Sequence, residues 1–532
     1  MERNAVQLWV GAPEQRSVAP TPSVFYQKTT NKMLKNTLLF KFKSAVEHYI
    51  KHLGTFMSAV MTFGLGFLLI GLDYFFPIVN FQIGLEWYIS LIPIINVFIS
   101  ILIAILLTTF SVIFVVKQLA SSQFSPRILR YFLANDLKVQ QFIGIFIGTI
   151  ALCLLPQIAI IFLKKPLIIT VSVALLLCFR CLVWSYPKMI THLSDNMNVS
   201  TITNRIKCEV MNEIHALYQK DWQTGERLLY KRNQRDKSKE GIFIITPFES
   251  GYLDKVNYEQ LKRAYNDFLQ KNPQLPLSHI YQKPIIGEFI MAKTTVLLVV
   301  EFDNALSEAD KACVKSFFQK IVLSTFSVNK YRSYTQDINF GVRKLVDIAI
   351  KAISPAVNDP TTCLNCIDYL GEIVRVLSAK KFPSTAANDL RDEYIFINEF
   401  GFDEVADFCF DQIYQWGKHD PTIVKRLIRT IRQIIPYVEN PYNLMILIKE
   451  IKEMDIHHIY DMPNPDRSFT QEQMLTIQRE LAKFKEKAVE QIRLLEQKGI
   501  LQQYEQLVGD KLDIVSKEEV ASVDFLKRYV IV

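Results

Sequence analysis

The chain of 532 residues is 50% hydrophobic and 21% charged, and its mean hydropathy is +0.14, where soluble domains usually fall below zero. These values exclude a disordered or fibrous chain, point toward a membrane, and leave room for two to four domains of ~100–200 residues each. A net charge of +8 admits a nucleic-acid partner or the basic collar of a membrane protein, and the eight cysteines lack the dense spacing of a secreted disulfide scaffold, so a reducing cytosolic side is the default.

Residues 1–54 read as a cytoplasmic tail, Pro-containing up to about residue 30 and basic thereafter. From Lys28 to Lys51 there are six lysines and one glutamate, interspersed with Leu38, Leu39, Phe40, Phe42 and Val46. This pattern suits either a helix lying in anionic headgroups or a plain basic lead into the membrane. The first apolar run begins near Thr55, too far from Met1 and too long for a cleaved signal peptide, so no processing is expected.

Four stretches, 55–77, 89–116, 142–163 and 166–187, are long enough to cross a ~30 Å hydrocarbon core as helices of ~20 residues. Residues 55–190 are therefore expected to form a four-span transmembrane domain. The loop after the second span holds Lys117, Arg127, Arg130 and Lys138 against Asp136, whereas 78–88 holds no Lys or Arg. The positive-inside rule then places both termini and everything after about 190 in the cytoplasm of a bacterial inner-membrane protein, against the single contrary hairpin Lys164-Lys165. Three intramembrane polar residues, Asp73, Asn96 and Arg180, are functional candidates because a buried unpaired charge costs several kcal/mol. Hydration of Asp73 at the interface and snorkelling of Arg180 are the bland alternatives. Gly144 and Gly148 have the spacing of a helix-packing pair. Four spans are few for a solute pathway within one chain, so a pore requires a homo-oligomer.

Residues 191–304 predict a cytoplasmic α+β module: a helix near 198–220, strands at 241–246, 251–253, 279–281, 288–290 and 295–300, and a helix from Tyr258 to Lys271. The basic run Lys231 to Lys239 has no interleaved aromatics, so lipid or solvent is expected beside it and no nucleic-acid partner is inferred. Residues 305–460 predict a mainly helical domain, with helices near 307–324, 336–353, 361–379, 403–417, 421–435 and 441–453. In 461–532, Met474, Ile477, Leu481, Phe484 and Ala488 repeat at 3-4-3-4 spacing, which suits a coiled coil or a helix packed on the preceding bundle.

The densest polar constellation lies at 332–362, and its candidate residues are Arg332, Gln336, Asp337, Asp347, Ser354, Asn358, Asp359 and Pro360. Local physics predicts a helix opened by Asp337 and stopped before Pro355, then an Asx turn at Asn358, an N-cap at Asp359 and Pro360 at the first helical position. Asp347 falls inside an apolar helix one turn after Arg343, so an i,i+4 pair is expected to satisfy it in part. The rival reading has the two helix ends converge on a ligand or ion.

Several motifs here resemble the bacterial predicted membrane proteins catalogued as domain-of-unknown-function family 2254. They are Leu345-Val346-Asp347-Ile348-Ala349, Ala352 through Thr362, Gln336-Asp337, Phe340-Gly341, Glu249 through Leu253, Ser125 through Arg130 and Gly144 through Thr149. The resemblance covers about residues 55–375 and implies a multi-span membrane protein with a cytoplasmic domain. It implies no activity, and no catalytic residue is transferred.

The sequence contains no P-loop, dinucleotide fingerprint, His-Glu-x-x-His or nucleophile elbow. Cys178/Cys181 and Cys363/Cys366 stand alone as Cys-x-x-Cys pairs, so neither a metal site nor a cofactor is expected. The leading expectation is a non-enzymatic oligomeric ion or solute pathway, or a membrane sensor with a cytoplasmic regulatory domain. A membrane-anchored enzyme or ligand-binding protein using the 332–362 cluster is one alternative, and a scaffold recruiting partners through its C-terminal helix is another.

Overall fold

A computed structural model describes residues 57–73, 85–123, 137–163, 168–218, 240–245, 249–275, 277–302, 306–380, 395–397, 400–454 and 469–509. The basic lead before Thr55 and the basic run at 231–239 lie outside the described residues. Three helices are long and apolar enough to cross a membrane, with apolar stretches Ser90–Val115, Lys138–Ile158 and Ile168–Asp195. The segment expected as the first span is a shorter apolar helix, Met57–Asp73, so the described residues meet the length criterion three times rather than four.

These helices are labelled α1 (Met57–Asp73), α2 (Leu85–Gln123), α3 (Leu137–Leu163) and α4 (Ile168–Arg180). Small residues set the packing of α1 on α3. A Cβ on Gly148 would lie 2.6 Å from Thr62 Cβ and 3.0 Å from the Ala59 carbonyl, and a Cβ on Gly66 would lie 2.6 Å from Leu155 Cδ1. The glycine of the third helix thus serves close approach to α1, because only a missing side chain lets the two backbones come that near.

Beyond α4 the chain stays helical through a π-helical stretch, Cys181–Ser185, into α5 (Tyr186–Met197). Asn198 then accepts from Ser200 N at 3.0 Å and opens α6 (Val199–Leu217). Ile202, Ile206, Val210 and Ile214 recur every four residues on α6 and are buried. They join an apolar core that runs without a break from Leu102 and Phe146 in the membrane helices to the helical domain.

The α+β module has its own core. Its strands are β1 (Glu240–Ile245), β2 (Gly251–Val256), β3 (Leu277–Gln282), β4 (Phe289–Ile290), β5 (Val296–Phe302) and β6 (Phe326–Asn329), with α7 (Tyr258–Lys271) and α8 (Glu308–Thr325) packed against them. One sheet runs β1-β5-β3-β7, where β7 (Ile395–Phe396) pairs parallel to β3 and the other pairs are antiparallel. The second sheet runs β4-β2-β6. Central β5 is buried along nearly all its length, which explains why its residues Val296–Val300 read as an apolar run rather than an alternation.

The helical domain comprises α9 (Ile338–Ala352), α10 (Pro360–Ser378), α11 (Phe402–Gly417), α12 (Pro421–Ile434) and α13 (Pro441–Glu453). Caps set the starts: Asp420 accepts from Thr422 N at 2.8 Å and Asn440 from Tyr442 N at 2.9 Å, each followed by proline at the first helical position. The heptad-like segment is α14 (Gln471–Gln497), opened by a Thr470/Gln473 capping box and followed by α15 (Ile500–Gly509). Met474, Ile477, Phe484 and Ala488 are buried in the bundle core, and Glu480 pairs with Arg432 of α12 at 3.1 Å. The heptad face is therefore covered by the chain itself.

Candidate functional site

The residues expected to matter fall into three places. The first is the start of α9, where β2, α6 and the helical domain meet. Asp337 is the N-cap, its Oδ1 accepting from Phe340 N at 3.0 Å. Arg332 donates Nε to Asp337 Oδ2 at 2.9 Å and Nη2 to Oδ1 at 3.0 Å, a bidentate pair that leaves little of the carboxylate unused. Burial pushes the Asp337 carboxyl above the usual carboxylate range, with Arg332 and the Phe340 amide pulling it back. Gly287, at φ +88, closes over this pair: a Cβ there would lie 2.2 Å from Asp337 Oδ2 and 2.6 Å from Arg332 Nη2.

Gln336, at φ +58, turns its side chain onto the end of β2. Its Oε1 accepts from Val256 N at 3.0 Å and its Nε2 donates to Val256 O at 3.3 Å, mimicking a neighbouring strand. The Gln336 amide donates to Glu213 Oε1 of α6 at 2.7 Å. Gln336 is thereby tied both to α6 and to the sheet.

Beside it lies a group that periodicity does not reveal. Lys344 is 3% exposed, donates to Tyr334 Oη at 2.8 Å, and sits 4.2 Å from the ring centroids of both Tyr334 and Phe340. Burial lowers its ammonium pKa to about 8, against the raising influence of Glu209 and Asp337. In sequence Lys344 reads as an ordinary charged position. The only available signal is its i,i+4 spacing from Phe340, which places ring and ammonium on one face.

The second place is the corner after α9. Asn358, at φ +50, turns the chain, and its amide donates to Ser354 O at 2.9 Å. Ser354 Oγ donates to Lys351 O at 2.7 Å, and Asp359 caps α10 by accepting from Thr362 N and Oγ1 at 3.1 and 2.5 Å. Pro360 takes the first helical position. Between the two places run the 15 residues of α9, about 22 Å of helix at ~1.5 Å per residue. The structure keeps Arg332, Gln336 and Asp337 apart from Ser354, Asn358, Asp359 and Pro360. Asp347, midway, pairs with Arg343 at 2.8 Å.

The third place is the membrane region. Asp73, at the end of α1, accepts from Ile169 N at 3.0 Å, Thr170 N at 2.9 Å and Thr170 Oγ1 at 2.6 Å, so its carboxylate caps α4 at the positive end of the helix dipole. Asn96 Oδ1 accepts from Gln157 Nε2 of α3 at 2.8 Å, a partner the sequence reading does not single out. Arg180 is exposed at the last position of α4, before the π-helical stretch. Cys153 and Cys178 touch through their sulfurs at 3.4 Å as free thiols, and among the described residues no group of His, Cys, Asp and Glu is arranged to hold a metal.

Comparison with known proteins agrees with the membrane helices. A family model described as "Predicted membrane protein (DUF2254)" matches residues 54–433. An uncharacterized protein of Mycobacterium tuberculosis is 24% identical over 358 residues, covering 64% of this chain and 63% of the relative. An uncharacterized protein of Mycobacterium bovis is 24% identical over 361 residues with the same coverage. The matched part of this chain thus spans less than two thirds of each relative's length. No solved structure matches the chain.

Proposed function

The chain belongs to the DUF2254 family of predicted membrane proteins, and from that premise we propose a non-enzymatic, multi-pass protein of the bacterial inner membrane that senses the bilayer and relays its state to a cytoplasmic helical domain. The observation that carries this reading is α6. It follows the third long apolar stretch in the chain after the single extended residue Asn198, and its buried face, Ile202 to Ile214, shares one core with the membrane helices and with α9 and α10. Lys207 of α6 pairs with Glu372 of α10 at 3.1 Å, and Glu213 holds the Gln336 amide. A shift of the membrane helices would therefore strain packed contacts rather than a loose linker.

Four spans are part of the proposal. Met57–Asp73 has about 26 Å of helical rise, near the lower limit for crossing, and Tyr74-Phe75-Phe76 continue the apolar sequence. The basic segments before Thr55 and after the second span support a cytoplasmic placement of both termini. An enzyme built on the 332–362 cluster is disfavoured because Asp337, Asp347 and Asp359 are each engaged by a cap or an arginine. The apolar face of α14 is engaged likewise, which weakens the scaffold reading.

The test is reconstitution into nanodiscs of differing acyl length and anionic lipid content, with hydrogen exchange followed in 338–378 and 402–434 and ion flux measured in parallel liposomes. Sensing predicts exchange in these helices that tracks the bilayer, without steady flux. Exchange blind to the bilayer, or sustained conductance, rejects it.

A further inference from the structure

We propose that a second copy of this chain covers the outward face of α2, docking through the amides of Asn96 and Gln157. This inference rests on the membrane placement of α2 and α3 and not on the sensing role.

The protein-facing side of α2 is defined by Ile95, Leu102 and Ile113, all buried. At ~100° of rotation per residue, Ser90, Asn96, Ser100, Ala104, Thr108 and Ser111 fall within an arc of about 120° on the other side, and all six are exposed. Every exposed Ser, Thr and Asn of the apolar stretch Ser90–Val115 lies in this arc, and the remaining hydroxyl, Thr109, is buried. A helix facing only lipid has no reason to gather its polar residues on the lipid side, whereas membrane helix interfaces are enriched in such residues.

Three of the hydroxyls are satisfied within the helix: Ser100 donates to Asn96 O at 2.8 Å, Thr108 to Ala104 O at 3.0 Å and Ser111 to Leu107 O at 3.1 Å. The amides are not. Gln157 Nε2 donates to Asn96 Oδ1 at 2.8 Å, and among the described residues Asn96 Nδ2 and Gln157 Oε1 make no further side-chain hydrogen bond. Hydrocarbon offers them no partner, and an unmet polar group there costs several kcal/mol. One donor group and one acceptor remain, side by side. Such a pair is self-complementary: across a twofold axis, Asn96 of each copy donates to Gln157 of the other, the reciprocity an isologous interface requires. The small-residue seam on α3 is already taken, since Gly148 packs on α1, so among the described residues the α2 arc is a polar face open to a neighbour.

The experiment uses the full-length protein in nanodiscs and native membranes, with Cys208 and Cys313 replaced by Ser. Single-molecule photobleaching is expected to report dimers. Asn96→Leu/Gln157→Leu should weaken association at least 10-fold, with the circular dichroism and thermal midpoint of the protomer retained, while Asn96→Gln should keep the dimer. Oxidative cross-linking should join copies through Ser100→Cys and Thr108→Cys but not through Phe110→Cys or Val112→Cys, which lie to either side of the arc. A monomeric wild type, dimers indifferent to the double substitution, or cross-linking confined to Phe110→Cys and Val112→Cys would overturn the proposal. So would labelling of Ser100→Cys and Thr108→Cys by a charged, membrane-impermeant thiol reagent, because the arc would then line water.

Discussion

Gly341 in the first turn of α9 lies directly against Val210 of α6, so that a Cβ on the glycine would come 2.1 Å from Val210 Cγ2 and 3.0 Å from the Tyr334 ring. Helix α6, which follows the membrane-type helices in the chain, and α9, which opens the helical domain, touch side chain to backbone at this point. Gly341→Val should force them apart and destabilise the protein by about 1–3 kcal/mol, the usual cost of overpacking a close contact. Hydrogen exchange should rise first in α6 and α9. A variant with wild-type thermal stability and exchange would show that this contact is not tight.

The Arg332–Asp337 pair predicts an asymmetric response. Asp337→Asn removes the charge partner of Arg332 and one of its two acceptor oxygens, while the remaining amide oxygen can still cap Phe340, and should cost about 3 kcal/mol in urea unfolding. Arg332→Lys retains the charge but cannot make both bonds, so its cost should be nearer 1 kcal/mol. Equal losses in the two variants would contradict the bidentate geometry.

Lys344 gives a pH dependence with a definite sign. Its folded-state pKa is lowered from 10.5 to about 8, so between these values the unfolded chain binds more protons than the folded one. Stability from this group should therefore rise as pH climbs from 8 to 10.5 and stay flat below 8. The full shift corresponds to roughly 3 kcal/mol. Two rings at 4.2 Å favour the ammonium and offset part of it. Lys344→Met should abolish the rise, which chemical unfolding at pH 7.5, 9 and 10.5 will show.

Asp73 joins α1 to α4 by capping the latter's first amides. Asp73→Ala leaves two amides at the start of α4 without their acceptor and should cost about 1–2 kcal/mol. Asp73→Asn, which retains one acceptor oxygen, should cost less. Thermal midpoints in one lipid composition give the comparison.

Cysteine accessibility tests the bundle core. Cys363, Cys366 and Cys409 are fully buried, and burial pushes the Cys363 thiol up to about 12 and raises Cys366 as well. Cys208 is exposed. Iodoacetamide at pH 8 should modify Cys208 within minutes and leave the three bundle cysteines intact until denaturant is added, as mass spectrometry of the peptides will report. Early modification of Cys366 would mean that α10 opens readily.

Local rules predicted much of this molecule. Helices expected at 336–353, 361–379, 403–417 and 441–453 are found within a residue or two as Ile338–Ala352, Pro360–Ser378, Phe402–Gly417 and Pro441–Glu453. Apolar spacing fixes a helix face, and Asp-Pro or Asn-Pro fixes its start. The two short strands Phe326–Asn329 and Ile395–Phe396 escaped notice because neither has enough residues to show a period, and each exists only by pairing with a distant strand.

What the sequence determined by itself is segmental: apolar stretches that must be helical in lipid, a module of strands, a run of capped helices, and the family motifs that tie them together. These follow from hydrogen-bond satisfaction and side-chain period, both of which act over a few residues. The tertiary structure alone decided how the polar residues are spent. It sent Asp73 to α4, Asn96 to Gln157 and Gln336 to Val256, and it left one end of α9 holding Arg332 and Asp337 and the other Asn358 and Asp359. Such partners lie tens of residues apart, or a helix length from where a convergent site would need them, and only the packing of whole elements sets those distances.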